Sequence, residues 1–157
     1  MRGVLVDASA LIALLDRDDA GHARAVETVE ALRDPLLTVW PALTEAMHLL
    51  GDTSRGPEAL CDMVFDGALT LIGLNAPDLV RMKALLQKYR DLPMDFADAA
   101  LVCAAEREQL TTIFTFDHHF TIYRLPRRAA FVVLPSPGPR RSGRPSERRA
   151  QRARASS

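Results

Sequence analysis

The sequence predicts an α/β fold in which helices cover both faces of a mostly parallel sheet of four to five strands. Three observations predict it. Short β-favouring runs alternate along the chain with longer stretches of helical periodicity. The first run is continuously apolar, the pattern of a strand buried on both faces. Proline and glycine stand where helices must open or close.

Gly3-Val-Leu-Val forms the first strand. A helix follows over 8–15 and another over 20–32, whose Ala23, Val26, Val29 and Leu32 recur at helical spacing. Leu36-Leu-Thr-Val is the next strand, and Pro41, its φ pre-set for a first helical turn, opens a helix containing residues 43–50. Residues 57–65 read as a helix that Gly67 ends. A strand over 69–74, a helix over 77–89, a helix over 95–109 and closing strands over 112–116 and 131–134 complete the order. Trp40 and Phe120 are expected to anchor the core, and Met47, Met63, Met82 and Met94 to fill it.

A chain of 157 residues, 48% apolar and 25% charged, suits one soluble domain and excludes collagen-like and wholly disordered classes. The longest apolar stretches, 10–15 and 99–105, fall far short of the roughly 20 residues that span a bilayer. Asp7 interrupts the first apolar run before it can act as the core of a signal peptide. Cys61 and Cys103 have no C-x-x-C spacing and no local histidine, so neither a zinc site nor a disulfide framework is expected, and a reducing cytoplasm fits. The net charge of zero hides an asymmetry: residues 135–157 hold seven arginines and one acid, leaving residues 1–134 with a net charge of −6. The expected organisation is a folded unit over 1–134 and a disordered Arg-rich tail over 135–157.

In such folds ligands bind beyond the carboxyl ends of the strands. Asp7 follows the first strand and Asp117 the strand at 112–116, while Glu45 and Asp98 fall in the first turns of their helices. Each acid has an ordinary reading. Asp7 can cap its helix, Asp95 and Asp98 fit a capping box, Glu45 can sit solvated near a helix dipole, and Asp117 can be a turn residue. Together, four or five carboxylates converging on one sheet end would repel strongly, a cost that a hard divalent cation such as Mg²⁺ or Mn²⁺ removes.

The order of these motifs resembles the PIN-domain ribonucleases, and more narrowly the VapC-type toxins of toxin–antitoxin pairs. The matching stretches are Leu5-Val-Asp-Ala-Ser-Ala-Leu-Ile, Leu43-Thr-Glu-Ala-Met-His, Asp91-Leu-Pro-Met-Asp-Phe-Ala-Asp-Ala-Ala and Ile113-Phe-Thr-Phe-Asp-His-His-Phe. The likeness spans residues 1–134 and implies a PIN-like α/β/α sandwich. It implies that Asp7, Glu45, Asp98 and Asp117 are the metal-binding and catalytic acids, with Ser9 and Thr115 supporting them. It leaves Asp95 without an assigned role. It further implies a Mg²⁺- or Mn²⁺-dependent endoribonuclease leaving a 5′-phosphate and a 3′-hydroxyl, an RNA substrate, a cognate antitoxin and a homodimer.

Candidates for backbone-tracking cations are Lys83, Lys88, Arg90, Arg124, Arg127 and Arg128, each of which also reads as solvated surface charge. His118 and His119 read as loop histidines or as RNA contacts, and His48 as an ordinary partly exposed histidine or as a support for Glu45. The arginine tail either adds salt-sensitive, sequence-independent RNA affinity or is an inert extension. Three other readings compete with this one. A PIN-family RNA-processing nuclease that is not a toxin shares the same site. A haloacid-dehalogenase-like phosphatase wants Asp-x-Asp after the first strand, where position 9 is Ser. A receiver-like signalling domain wants an acidic pair there and a lysine after a late strand, and Thr115-Phe-Asp offers none.

Overall fold

The computed structural model describes residues 1–136, so nearly all of the expected tail lies outside the described residues. Five strands form one sheet: β1 (Val4–Val6), β2 (Leu36–Val39), β3 (Leu69–Ile72), β4 (Thr112–Phe114) and β5 (Val132–Leu134). Their order is β3-β2-β1-β4-β5 and every pairing is parallel. The central β1 is buried throughout, pairing Val4 with Leu36 on one side and Leu5 with Ile113 on the other. Side chains alternate between the two faces of a strand. Leu5 accordingly joins one core with Leu37 and Val39, while Val4 and Val6 join a second with Leu36. A fully buried leucine such as Leu5 contributes roughly 2 kcal/mol.

The first core is closed by α5 (Ala76–Lys88) and α6 (Phe96–Glu108), the second by α1 (Ala8–Leu15), α2 (His22–Ala31) and α4 (Gly56–Phe65). Between them, α3 (Trp40–Leu49) gives Ala42 to the first core and Leu43 and Ala46 to the second. All residues from Ala97 to Ala105 are buried, so α6 is enclosed on every side, its alanines allowing close approach to α5, α3 and β2. Gly67, with φ of +78°, takes the left-handed conformation that ends α4.

The α/β class, the parallel sheet and the element order are as expected, with shorter elements at several ends. The second helix starts at His22 because Asp16 and Asp19 draw residues 16–21 into turns, accepting from the N–H groups of Asp18 (2.9 Å) and Gly21 (2.7 Å). β4 stops at Phe114: Thr115 N–H still reaches the Leu134 carbonyl (2.8 Å), but Phe116 N–H donates to Ser9 Oγ (2.9 Å) at the β1–α1 corner instead. Two short 3-10 turns, His118–Thr121 and Pro126–Arg128, have no counterpart in the sequence reading, since one i→i+3 turn carries no periodicity.

Phe120 is fully buried, as expected. Trp40 is not a core anchor: it is 58% exposed. It opens α3 just after β2 ends, at the rim of the sheet, where no element among the described residues covers it. Among the described residues no helix is long and apolar enough to cross a membrane.

Candidate active site

The chain runs from β1 outward to β2 and β3 on one side and returns to β4 and β5 on the other, which makes the carboxyl ends of β1 and β4 the crevice of the sheet. Asp7 leaves the end of β1 and caps α1. Its Oδ1 accepts from the Ala10 N–H (3.1 Å) and the Ser9 hydroxyl (2.6 Å), and its Oδ2 accepts from the Thr115 hydroxyl (2.6 Å). The corner is laced further, since Ser9 Oγ accepts from Phe116 N–H (2.9 Å) and Thr115 Oγ1 from Asp117 N–H (2.8 Å). Burial pushes the Asp7 carboxyl above its usual range, and the Ser9 and Thr115 hydroxyls oppose that shift.

Asp98 occupies the third position of α6 in a capping box with Asp95. Asp98 N–H donates to Asp95 Oδ1 (2.8 Å), and Asp95 N–H to Asp98 Oδ2 (3.3 Å). The Tyr123 hydroxyl donates to the same Oδ2 at 3.2 Å. Burial first, then the neighbouring Asp95, pushes the Asp98 carboxyl up to about 7. Glu45, half-buried on α3, is also raised, by burial and then by Asp95, Asp7 and Asp117. Asp117 caps the 3-10 turn after β4, its Oδ1 accepting from His119 N–H (2.9 Å) and His119 Nδ1 (2.7 Å).

Asp7, Ser9, Glu45, Asp95, Asp98 and Asp117 line one cavity of about 70 Å³. The ordinary capping roles hold for Asp7, Asp95, Asp98 and Asp117, and the same caps aim the carboxylates into the cavity. Among the described residues, hydrogen bonds leave lone pairs free on Asp7 Oδ2, Asp98 Oδ1, Asp117 Oδ2 and both Glu45 oxygens. An all-oxygen, mutually repelling donor set with spare lone pairs fits a hard divalent cation. The tightest trio of possible ligands among the described residues is Asp117 with His118 and His119, within 4.8 Å of one another. The core acids stand wider than that.

The expected cations are placed unevenly. Lys88 Nζ lies 5.1 Å from the Tyr89 ring, and Arg124 N–H donates to the Tyr89 hydroxyl (2.9 Å), which sets both near the Tyr89–Tyr123 pair that reaches Asp98. The Arg124 guanidinium is already turned onto the carbonyls of Thr121, Ile122 and Tyr123. Arg90 and Lys83 are exposed and line no part of the cavity. Arg127 is not brought to it: with Gln109 and Thr111 it lines another pocket at the entry to β4, opposite the end from which Asp117 leaves, and Arg128 shares its 3-10 turn. His48 is exposed and shares a groove with Glu45. Tyr123 escaped the sequence reading, since nothing in Ile122-Tyr-Arg marks a partner for an aspartate 25 residues away.

Comparison with known proteins follows the same lines. The PIN domain family matches residues 4–125. Ribonuclease VapC26 of Mycobacterium tuberculosis is 30% identical over 136 residues, covering 84% of this chain and all of the relative. A crystal structure of M. tuberculosis VapC20, a sarcin-ricin loop cleaving toxin, superposes with a TM-score of 0.71 at 20% identity, covering 76% of this chain and 94% of that one. A toxin–antitoxin complex from Klebsiella pneumoniae superposes with a TM-score of 0.56 at 22% identity, covering 73% and 87%. At those identities the two superpositions speak for the fold.

Proposed function

The chain belongs to the PIN-domain family and, within it, to the VapC-type ribonucleases, and from that premise we propose that it is a Mg²⁺- or Mn²⁺-dependent endoribonuclease acting as the toxin of a toxin–antitoxin pair. The observation that carries the proposal is the meeting of Asp7, Glu45, Asp98 and Asp117 on one cavity at the carboxyl ends of β1 and β4. The 30% identity to a whole VapC ribonuclease supports the substrate class, and an antitoxin partner follows from the toxin reading. A homodimer and a cytoplasmic location belong to the same proposal.

Each acid has a distinct part. Asp7, held by three donors, and Asp98, held by a backbone N–H and the Tyr123 hydroxyl, are the principal ligands. Glu45 and Asp117 complete the cage directly or through water and orient the attacking water. A divalent ion held by these residues would supply the activation of water and the neutralisation of charge on the phosphate and leaving oxygen. Ser9 and Thr115 fix the Asp7 carboxylate, and His119 fixes Asp117. No side chain is required as a nucleophile, and the net charge of the folded body is no obstacle, because the bound cation reverses the local sign.

The test is Mg²⁺-dependent cleavage of RNA by wild type and by Asp98→Asn. The variant is expected to lose cleavage while keeping its fold by circular dichroism. Full activity in Asp98→Asn removes that residue from the site, and RNA left intact by wild type at every divalent ion tried overturns the proposal.

A further inference from the structure

Beside the acidic cavity lies a second, much larger groove of about 650 Å³, lined by Trp40, Thr44, Glu45, His48, Asp95 and Phe96 among others. The two share Glu45, Asp95 and Ala97, so one opens directly beside the other. Two large aromatic side chains stand at its surface: Trp40 is 58% exposed and Phe96 50% exposed. Each is the first residue of its helix, α3 or α6, and those are the helices that carry Glu45 and Asp98.

We infer that this groove is a base-stacking subsite, in which Trp40 and Phe96 receive an unpaired base of the RNA strand whose phosphate is cut in the adjoining cavity. The inference rests on the nuclease reading above. A strand cut internally must continue past the acids, and the surface next to them is this groove. Asp95, a groove carboxylate outside the cation cage, repels the sugar–phosphate backbone, which leaves the apolar floor to the uncharged flat face of a base. Aromatic side chains are the usual platforms for unpaired bases, and such stacking tolerates sequence because every base has a π-face. Thr44 and His48, at the groove wall, offer hydrogen bonds to a base edge.

Trp40 is the only tryptophan in the sequence, so its fluorescence reports on this groove alone. The experiment titrates full-length Asp98→Asn, in Mg²⁺, with a short single-stranded oligoribonucleotide and with the same strand carrying abasic positions. Trp40 emission is expected to quench with the intact strand and much less with the abasic one. In a Trp40→Ala, Asp98→Asn protein, affinity measured from labelled RNA should fall about tenfold, the size of one stacked base, and Trp40→Phe should restore most of it. Unchanged affinity in Trp40→Ala overturns the inference. So does equal quenching by the abasic strand, or a change in oligomeric state by sedimentation with RNA affinity intact, which would give the groove to a second copy of the chain. Cleavage by wild type is measured alongside: if it occurs and Trp40 proves silent, only the stacking subsite falls.

Discussion

Helices α5 and α6 pack side by side and begin alike. Asn75 caps α5 and Asp95 caps α6; each side chain accepts from the N–H three residues on, and Asp78 or Asp98 reaches back to the cap N–H. Both returning carboxylates are buried, at 7% and 8% exposure. Their surroundings are opposite. Asp78 is ion-paired with Arg107, and the Asn75 N–H, followed by that guanidinium, holds its carboxyl below the usual range. Asp98 faces Asp95 and Asp117, meets no cation among the described residues, and is pushed up to about 7. One backbone device therefore serves two ends. On α5 it is completed as structure; on α6 the same geometry is left with an electrostatic debt, which is how a buried group signals a site rather than a scaffold.

The sharpest way to break this comparison is to neutralise each aspartate in turn. Asp98→Asn is expected to cost at least about 1,000-fold in Mg²⁺-dependent cleavage, since a metal clamp supplies several kcal/mol, while raising the melting temperature of the metal-free protein at pH 8. Asp78→Asn should do the reverse, leaving cleavage intact and lowering stability by about 1–3 kcal/mol, a figure discounted because Arg107 is one-third exposed. Activity assays and thermal melts on both variants check this. Similar behaviour of the two would end the distinction.

The pH dependence separates the boxes next. In the folded, metal-free protein Asp98 holds a proton up to about pH 7, whereas the unfolded chain releases it near its ordinary 3.8. Stability therefore falls as pH rises between those values and stays reduced above them. Asp78 works the other way, its contribution present above about pH 4 and lost as pH falls through its lowered folded value. Melting in EDTA should decline from pH 5 to pH 8 in wild type and decline less steeply in Asp98→Asn, where the raised carboxyls of Asp7 and Glu45 keep the remainder. Mg²⁺ at about 100 times its dissociation constant should restore roughly 2.7 kcal/mol at pH 8.

How far the sequence reaches follows the same division. The strands at 4–6 and 36–39 were legible as runs too short for a helix and rich in β-favouring side chains, and α6 because its apolar span is long. Asp7 and Asp117 were legible as acids just past strand ends, and Asp95-x-x-Asp98 as a cap. What was hidden is pairing at a distance. The Asn75-x-x-Asp78 and Asp95-x-x-Asp98 patterns look alike along the chain, and only the fold brings Arg107 to one and Tyr123 to the other. Trp40 misled because a large apolar side chain reads as core, and sequence cannot tell a residue that fills a core from one that furnishes a surface.

Tyr123 offers a smaller test. Its hydroxyl favours the ionised form of Asp98, and burial together with that carboxylate pushes its own ionisation far above the ordinary value, so it stays a donor throughout the working range. Tyr123→Phe keeps the ring packed edge-on to Tyr89 and Phe120 and removes only the donor. Activity at neutral pH should fall about tenfold, as for a residue supporting a metal ligand. The acid limb of the pH–rate profile should move to higher pH. A loss of activity with no movement of that limb would make Tyr123 structural.

The smallest effect comes from turning the α6 box into the α5 box with Asp95→Asn. Asparagine caps as well as aspartate, so α6 should start unchanged. What goes is a carboxylate that raises both Asp98 and Glu45, and both should move toward their ordinary values. Because Asp95 is exposed, screening keeps the gain near 1 kcal/mol or less. The metal-free protein should therefore melt slightly higher at pH 8, its decline with pH should become shallower, and the acid limb of cleavage should shift down. The reciprocal Asn75→Asp places a second carboxylate beside Asp78, where Arg107 is at hand to offset it, and should change little. If Asp95→Asn instead lowers the melting temperature and leaves the acid limb in place, Asp95 acts through the cap alone, and the contrast between the helices reduces to the presence or absence of Arg107.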